Sequence, residues 1–425
     1  MTHRKTLIVG SGCFGLSTAF ELLQRGWTDV TVIDKSDTLP APDGASNDLN
    51  RIVRTSYSDP FYSKLAQDAI ESWKNREEWK DTYHESGVLV LGEARDSGLD
   101  YKQKSYLNDL EMGLRIVPLD DQSAIQQVFP SATPVGDFFH HTGYLNRDSG
   151  WANAGQGIRL LIDKIAALNG KIVAGKGVVQ LIEQGLKTTG VRCTDGTIFE
   201  ADLIIIATGS WTASAFPNVP TGDIFRATGQ CIAMIQLTEE EGDRYRTCPV
   251  VLDFETGFYI FPPNESNLVK MAVHSAGYTH STGESSISTP RTITSDSDAG
   301  LLIPKANVKE LRDHLRMVYP ALADKPFVAT RLCWYCDSQD GDWVIGYHPQ
   351  SQETLVFATG GSGHAYKFLP VIGRLVADAI ENKLSADITA KLAVDRVPKQ
   401  PDESRVGRVV QELDLSQLCT PEDLQ

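Results

Sequence analysis

Apolar and polar positions alternate with a changing period along this chain, and the changes mark its elements. In TLIVGSGCFGLSTAFELLQRGWTDVTVID, Thr6 to Val9 predict a buried strand. From Phe14 to Arg25 the apolar residues recur at helical spacing, and Gly26 can close that helix. VTVID predicts a second strand ending in Asp34. Farther on, DGTIFEADLIIIATGSWT reads as a polar hairpin, a buried strand from Leu203 to Ala207, and a turn. LVFATGGSGHAYKFLPVIGRLVADAI reads as a strand to Ala358, a glycine-rich turn, then a helix. That helix carries Leu369, Ile372, Leu375, Val376 and Ile380 on one stripe. Between these βα patterns, FFHHTGYLN and CIAMIQL…VVLDFETGFYIFPP show the short alternations of antiparallel strands. Residues 280–300 are polar and predict a surface loop or lid. From about 396 the chain is charged and weakly patterned, which predicts a wrapping or frayed tail.

Gly10, Gly12 and Gly15 form G-x-G-x-x-G between the first strand and helix. Such glycines let the backbone turn tightly and approach a pyrophosphate, which then sits at the helix N-terminus. Asp34 can accept hydrogen bonds from an adenosine ribose. Strand, glycines, helix, strand and acid occur in the order that dinucleotide binding requires. The choice of FAD over NAD comes from the later segments. Thr208 and Gly209 end a strand as a second cofactor contact would, and Gly360, Gly361 and Gly363 precede a helix whose positive end suits a reduced flavin.

The 425 residues exceed one typical core and predict two domains. A net charge of −15 argues against nucleic acid or an anionic membrane as partner. Seven scattered cysteines show no framework spacing, which favours a reducing compartment. The opening MTHRKTLIVGSG has no apolar signal region, no apolar run is long enough to span a bilayer, and the final PEDLQ is not a peroxisomal tripeptide. The expected location is cytoplasmic. No metal site is expected: the single CxxC, Cys333 and Cys336, lacks a second ligand pair.

GSGCFG, NRIVRTSY, GFYIFPP, LVKMAVH, RLCWYCDS and GGSGHAYKF, in this order, resemble the monomeric sarcosine oxidase family of flavoenzymes. Its fungal branches include saccharopine and pipecolate oxidases and the fructosyl-amino-acid oxidases (amadoriases). The resemblance implies a mixed α/β fold: an FAD-binding two-dinucleotide-fold domain with a Rossmann-like βαβ core, and a substrate domain with a mostly antiparallel sheet. The first would comprise residues 1–88, 150–225 and 325–425, the second 89–149 and 226–324. The implied chemistry is oxidation of a secondary amine on an N-substituted α-amino acid. Hydride passes to FAD, the imine hydrolyses, and oxygen becomes hydrogen peroxide. Amadoriase activity is the alternative substrate reading. An FAD dehydrogenase using a carrier, and a non-catalytic flavin-binding protein, are the other classes. The partners would be a small amino acid or amine and oxygen, and the chain a monomer.

In NRIVRTSY, Arg51 and Arg54 stand three apart, so on a helix or turn both guanidinium groups would point one way. By the same resemblance, Arg51 lies beside the flavin, Arg54 and Lys367 grip the substrate carboxylate, and Lys270 promotes the reaction with oxygen. Tyr259 and His274 line the substrate pocket. The cofactor contacts would be Gly10, Gly12, Cys13, Phe14, Gly15, Asp34, Lys35, Ser46, Asn50, Arg51, Val178, Thr208, Gly209, Cys333, Gly361, Gly363, His364 and Lys367. Cys333 matches the family's covalent anchor, an 8α-S-cysteinyl link, while Cys336 reads as a small buried residue. The bland alternatives are surface arginines paired with Asp48 or Asp59, a solvated Lys367 and an outward strand Lys270.

Overall fold

The computed structural model describes residues 4–93, 101–216, 219, 221, 224–282, 286–401, 404–407 and 409–425. Its first layer is a six-stranded sheet. The order is Val344–Tyr347, Leu355–Thr359, Leu203–Ile206, Thr6–Val9, Val30–Ile33, Lys171–Val173. Every neighbouring pair is parallel except the first. The central strands are buried on both faces, so they read as near-continuous apolar runs (TLIV, LIII). Helices Cys13–Gln24 and Ile372–Ile380 lie together against this sheet. They approach so closely that a Cβ on Gly373 would stand 2.0 Å from the Ser17 carbonyl oxygen.

The second layer is a ten-stranded, mostly antiparallel sheet. Its spine is the pairing of Phe225–Gln236 with Phe327–Ser338. Helix Lys305–Val318 covers one face with Val308, Leu311, Leu315 and Val318, the spacing of a single helical stripe. The chain is thus the α/β protein with an antiparallel second sheet that its patterning implies. No helix among the described residues is long and apolar enough to cross a membrane.

Three local expectations are corrected. The helix after the last glycine turn does not start at its edge. A 3-10 turn, Tyr366–Phe368, intervenes, and the α-helix begins at Ile372. Leu369 is itself helical in φ and ψ, but Pro370 lacks an N–H and Val371, at φ −125°, departs from the helical run, which delays the start. Residues 288–292 are packed rather than open, while most of 293–299 is exposed as expected. Ser288 Oγ donates to the Ala227 carbonyl at 2.7 Å, and Trp334 Nε1 donates to that of Arg291 at 2.6 Å. Polar side chains conceal such packing because they bury through hydrogen bonds. Residues 283–285 of that segment lie outside the described residues. Finally, Arg51 and Arg54 do not point one way. Arg51–Val53 is a strand paired with Gly150–Ala152, and its alternation divides the two guanidinium groups between two cavities.

The tail from 396 wraps the molecule. Arg396 bonds both oxygens of Asp340 at 2.6 and 2.9 Å. Val406 exchanges backbone bonds with His274 and Ala276, and Gln411–Glu412 adds a short strand beside Tyr278–Thr279.

Candidate active site

The first cavity, 740 Å³, is a groove along the carboxyl ends of the parallel strands, where an open α/β sheet offers its ligand crevice. Backbone makes most of it. Gly10 has φ +109°, and a Cβ there would stand 2.3 Å from the Ala207 carbonyl oxygen. A Cβ on Gly15 would stand 1.9 Å from the Gly10 carbonyl oxygen. The loop therefore closes onto the helix start only with glycine at both positions. Asp34 Oδ2 accepts from Ser11 N and Oγ, each at 2.7 Å, and Oδ1 accepts from Ser36 N at 2.9 Å. Cys13 N donates to Ser46 Oγ at 2.9 Å. Lys35 Nζ sits 3.6 Å above the Trp211 ring, its pKa lowered first by burial.

Of the expected cofactor contacts, Gly10, Gly12, Cys13, Phe14, Asp34, Lys35, Ser46, Arg51, Val178, Thr208, Gly209, Gly361 and Gly363 line this groove. Gly15 lies behind it, and Asn50 is fully buried beside it. Cys333 does not line it, but Cys336 does. Their spacing turns the two thiols to opposite faces of one strand. Cys333 lies in a cluster with Ile232, Ala272 and Tyr335, and its Sγ accepts from Arg51 Nη2 at 3.3 Å. Cys336 Sγ is 3.5 Å from the Thr359 hydroxyl, and burial pushes its thiol up to about 11. Glycines where a Cβ would clash, a carboxylate at the second strand end and a long groove between them fit FAD.

The second cavity, 1170 Å³, lies between the two sheets and the tail, and includes Arg54, Tyr57, Tyr101, Phe254, His274 and His364. Arg54 and Lys367 both approach one ring: the Arg54 guanidinium carbon is 4.7 Å and Lys367 Nζ 5.0 Å from the Tyr57 centroid. Arg54 is 7% exposed, and its Nη1 has no acceptor. Lys367 Nζ donates to the Tyr57 hydroxyl at 2.6 Å and to the His364 carbonyl at 2.9 Å, neither of them a carboxylate. Burial, then Arg54, drives the Lys367 pKa well below its ordinary value. His364 Nε2 lies 3.0 Å from the Gly341 carbonyl, so that nitrogen carries the proton. Nδ1 then accepts from the Tyr57 hydroxyl at 3.2 Å. Burial, then surrounding cations, keeps both His274 and His364 neutral.

Lys270 faces inward and is fully buried. It donates to Asp48 Oδ2 and to the Asn50 carbonyl, both at 2.8 Å. Arg51 also binds the Asp48 carboxylate. The surface pairing considered for Arg51 therefore exists with the expected partner, but inside the protein. Asp59 pairs with Lys391 at 2.8 Å. Tyr259 is beside this node and lines neither cavity.

Sequence reasoning missed Tyr57 and Arg405. Tyr57 sits inside the quoted NRIVRTSY, three places past Arg54, so its position was a usable signal. Arg405 grips both oxygens of Asp337, at 2.8 and 2.6 Å, and borders the second cavity from a tail with no pattern to announce it.

Residues 5–379 match the model of the FAD dependent oxidoreductase family, and the chain belongs to that family. L-saccharopine oxidase of Schizosaccharomyces pombe is 32% identical over 90% of this chain and 91% of its own length. Monomeric sarcosine oxidase of a Bacillus species is 24% identical over 91% of this chain and 96% of its own. Among solved structures, fructosamine oxidase (Amadoriase II) of Aspergillus fumigatus superposes with TM-score 0.81 at 28% identity. The match covers 95% of this chain and 91% of that one.

Proposed function

We propose that this FAD-dependent enzyme oxidises a secondary amine carried by an N-substituted α-amino acid. The observation that carries the reading is the pair Arg54 and Lys367, two buried basic side chains beside one ring whose hydrogen-bond partners among the described residues include no carboxylate. A substrate carboxylate would satisfy both: the Arg fork binds it directionally, and the Lys adds a point charge. When bound, FAD would take up the hydride of the C–H bond beside nitrogen, leaving an imine that water hydrolyses, and oxygen would then accept the two electrons to give hydrogen peroxide. Neutral His274 lines the same cavity without adding charge, while His364 spends both ring nitrogens on Gly341 and Tyr57 and so orients the Tyr57 hydroxyl. No side chain is required as general base if the amine binds uncharged. Lys270 supplies the buried positive charge that oxygen reduction calls for.

The cavity is much larger than an N-methyl amino acid needs, which favours a bulky, polar N-substituent, as in the relative named for saccharopine. The likeness to fructosamine oxidase supports a glycated amino acid as the second reading. A peroxide-coupled screen of N-alkyl, N-carboxyalkyl and glycated amino acids separates them. If several amines reduce the enzyme without air yet yield no peroxide in air, the protein is a dehydrogenase instead.

We assign a covalent flavin to Cys333, whose sulfur is held against Arg51. Acid precipitation should leave the yellow colour with the protein, and should release it from Cys333→Ser but not from Cys336→Ser. Free FAD from the denatured wild type would refute the tether. We also assign residues 1–88, 150–225 and 325–425 to cofactor binding and the rest of the span to 324 to substrate binding.

A further inference from the structure

Asp48 lines neither cavity, yet it touches two cations assigned to the cofactor's chemistry. Its side chain is 2% exposed. Oδ2 accepts from Lys270 Nζ at 2.8 Å and from Arg51 Nη1, while Oδ1 accepts from Leu49 N at 2.7 Å. Arg331 is the third positive neighbour, tied to the carbonyls of Asn47 and Gly44 at 2.9 and 3.1 Å. Lys270 has no exposed surface. Apart from Asp48, its surroundings are the Asn50 carbonyl, the Phe261 ring 5.2 Å away, Arg51 and Cys333. Tyr259, on the strand paired with that of Lys270, and Tyr335, on the strand of Cys333, also lie close to Arg51 and Cys333. Within this set Asp48 is the carboxylate that meets Lys270. A buried ammonium left with a carbonyl and a neighbouring guanidinium would shed its proton.

We infer that Asp48 is a positioning residue that keeps Lys270 protonated inside the sheet, and so sets the pH above which the site loses that charge. The effect on oxygen reduction rests on the function proposed for Lys270; the pairing itself does not. Burial and then Arg51 push the lysine down to about 8, with Asp48 opposing them. Asparagine at position 48 preserves shape and removes the opposition.

The test is denaturant unfolding of the full chain across pH. Where the folded lysine has already lost its proton and the unfolded one has not, stability rises with pH. In the wild type this contribution starts near 8, the folded value, and ends near the ordinary 10.5. In Asp48→Asn the rise should begin at least about one pH unit lower, because a nearby opposite charge is worth that much or more. In Asp48→Asn/Lys270→Met it should vanish. If Asp48→Asn alone does not fold, the double variant should recover part of the folded protein, since it removes the lysine charge while Arg51 keeps the carbonyls of Ala45 and Asn50. An unchanged onset in Asp48→Asn, or a double variant that folds no better than a non-folding single one, overturns the inference. The oxygen reaction of the loaded variant is read separately. If the unfolding onset moves while the pH profile of that reaction does not, the role of Lys270 in oxygen reduction fails and the pairing with Asp48 stands.

Discussion

The two cavities are built from different material. The groove is shaped by backbone: Gly10 and Gly15 sit where any Cβ would meet a carbonyl oxygen, and the strands beside it are set by local apolar runs. The second cavity is shaped by side chains from remote parts of the chain. Arg54, His274 and Arg405 converge there through sheet pairing and a returning tail, and Lys367 stands just behind, on the Tyr57 hydroxyl. A backbone site tolerates no substitution at its contact points, whereas a side-chain site can lose one group and keep its shape. Each prediction below tests this contrast.

The largest effect is expected from Gly15→Ala. Its Cβ must displace the Gly10 carbonyl from 1.9 Å, so the loop reopens and FAD binding should be lost. Absorbance of the purified protein near the flavin bands, with circular dichroism as a check on folding, measures it. A folded variant with full flavin content would show that the loop has slack that a backbone site should lack.

Lys270→Met should come next. Removing one preorganised charge should slow the reaction of the reduced enzyme with oxygen by roughly 10²-fold or more. Reduction by substrate should change far less. Stopped-flow measurement of each half-reaction decides, and equal slowing of both would move Lys270 from oxygen chemistry to general architecture.

Arg54→Ala should be milder, because the second cavity keeps Lys367. Loss of a charge-assisted hydrogen bond of about 1.5–3 kcal/mol gives roughly a ten- to hundred-fold fall in kcat/KM. Wild-type enzyme should discriminate against the methyl ester of its substrate by a similar factor. An ester used as well as the acid would remove the carboxylate clamp.

The smallest effect is on pH. The Lys367 pKa is depressed by burial and Arg54, so in the empty site its ammonium is lost as pH rises through that lowered value. Carboxylate affinity should therefore be strongest at lower pH and weaken as pH rises. In Lys367→Met that dependence should flatten. A KM that improves with pH in the wild type, after correction for ionisation of the substrate amine, would give Lys367 the wrong sign.

The same contrast explains what the sequence could reveal. The groove was legible because glycine positions, strand runs and Asp34 are contiguous, and their order is itself the signal. Lys270 was legible as a charged residue in an apolar alternating strand, since an unused lysine there is costly. Asp48 was visible only as a possible surface partner, because burial is a property of the second sheet's closure and not of the residues flanking Asp48. The split of Arg51 from Arg54 was hidden because three-residue spacing means one face on a helix and opposite faces on a strand. Which applies is decided by pairing with residues 150–152, about a hundred positions away. Tyr57 stood inside a recognised motif and gained its meaning only when His364 and Lys367 arrived beside it.

The returning tail bears on how such an enzyme could change its diet. Arg405 and Val406, which border the second cavity, the second of them bonding the His274 carbonyl, lie past residue 379, where the family match ends. The tail's share of that cavity therefore lies in a stretch of coding sequence apart from the glycines of the groove. Drift or exchange confined to the last few dozen codons could resize the entrance while every glycine of the groove stayed as it was. A library restricted to residues 396–413 is consequently the economical place to seek new amines.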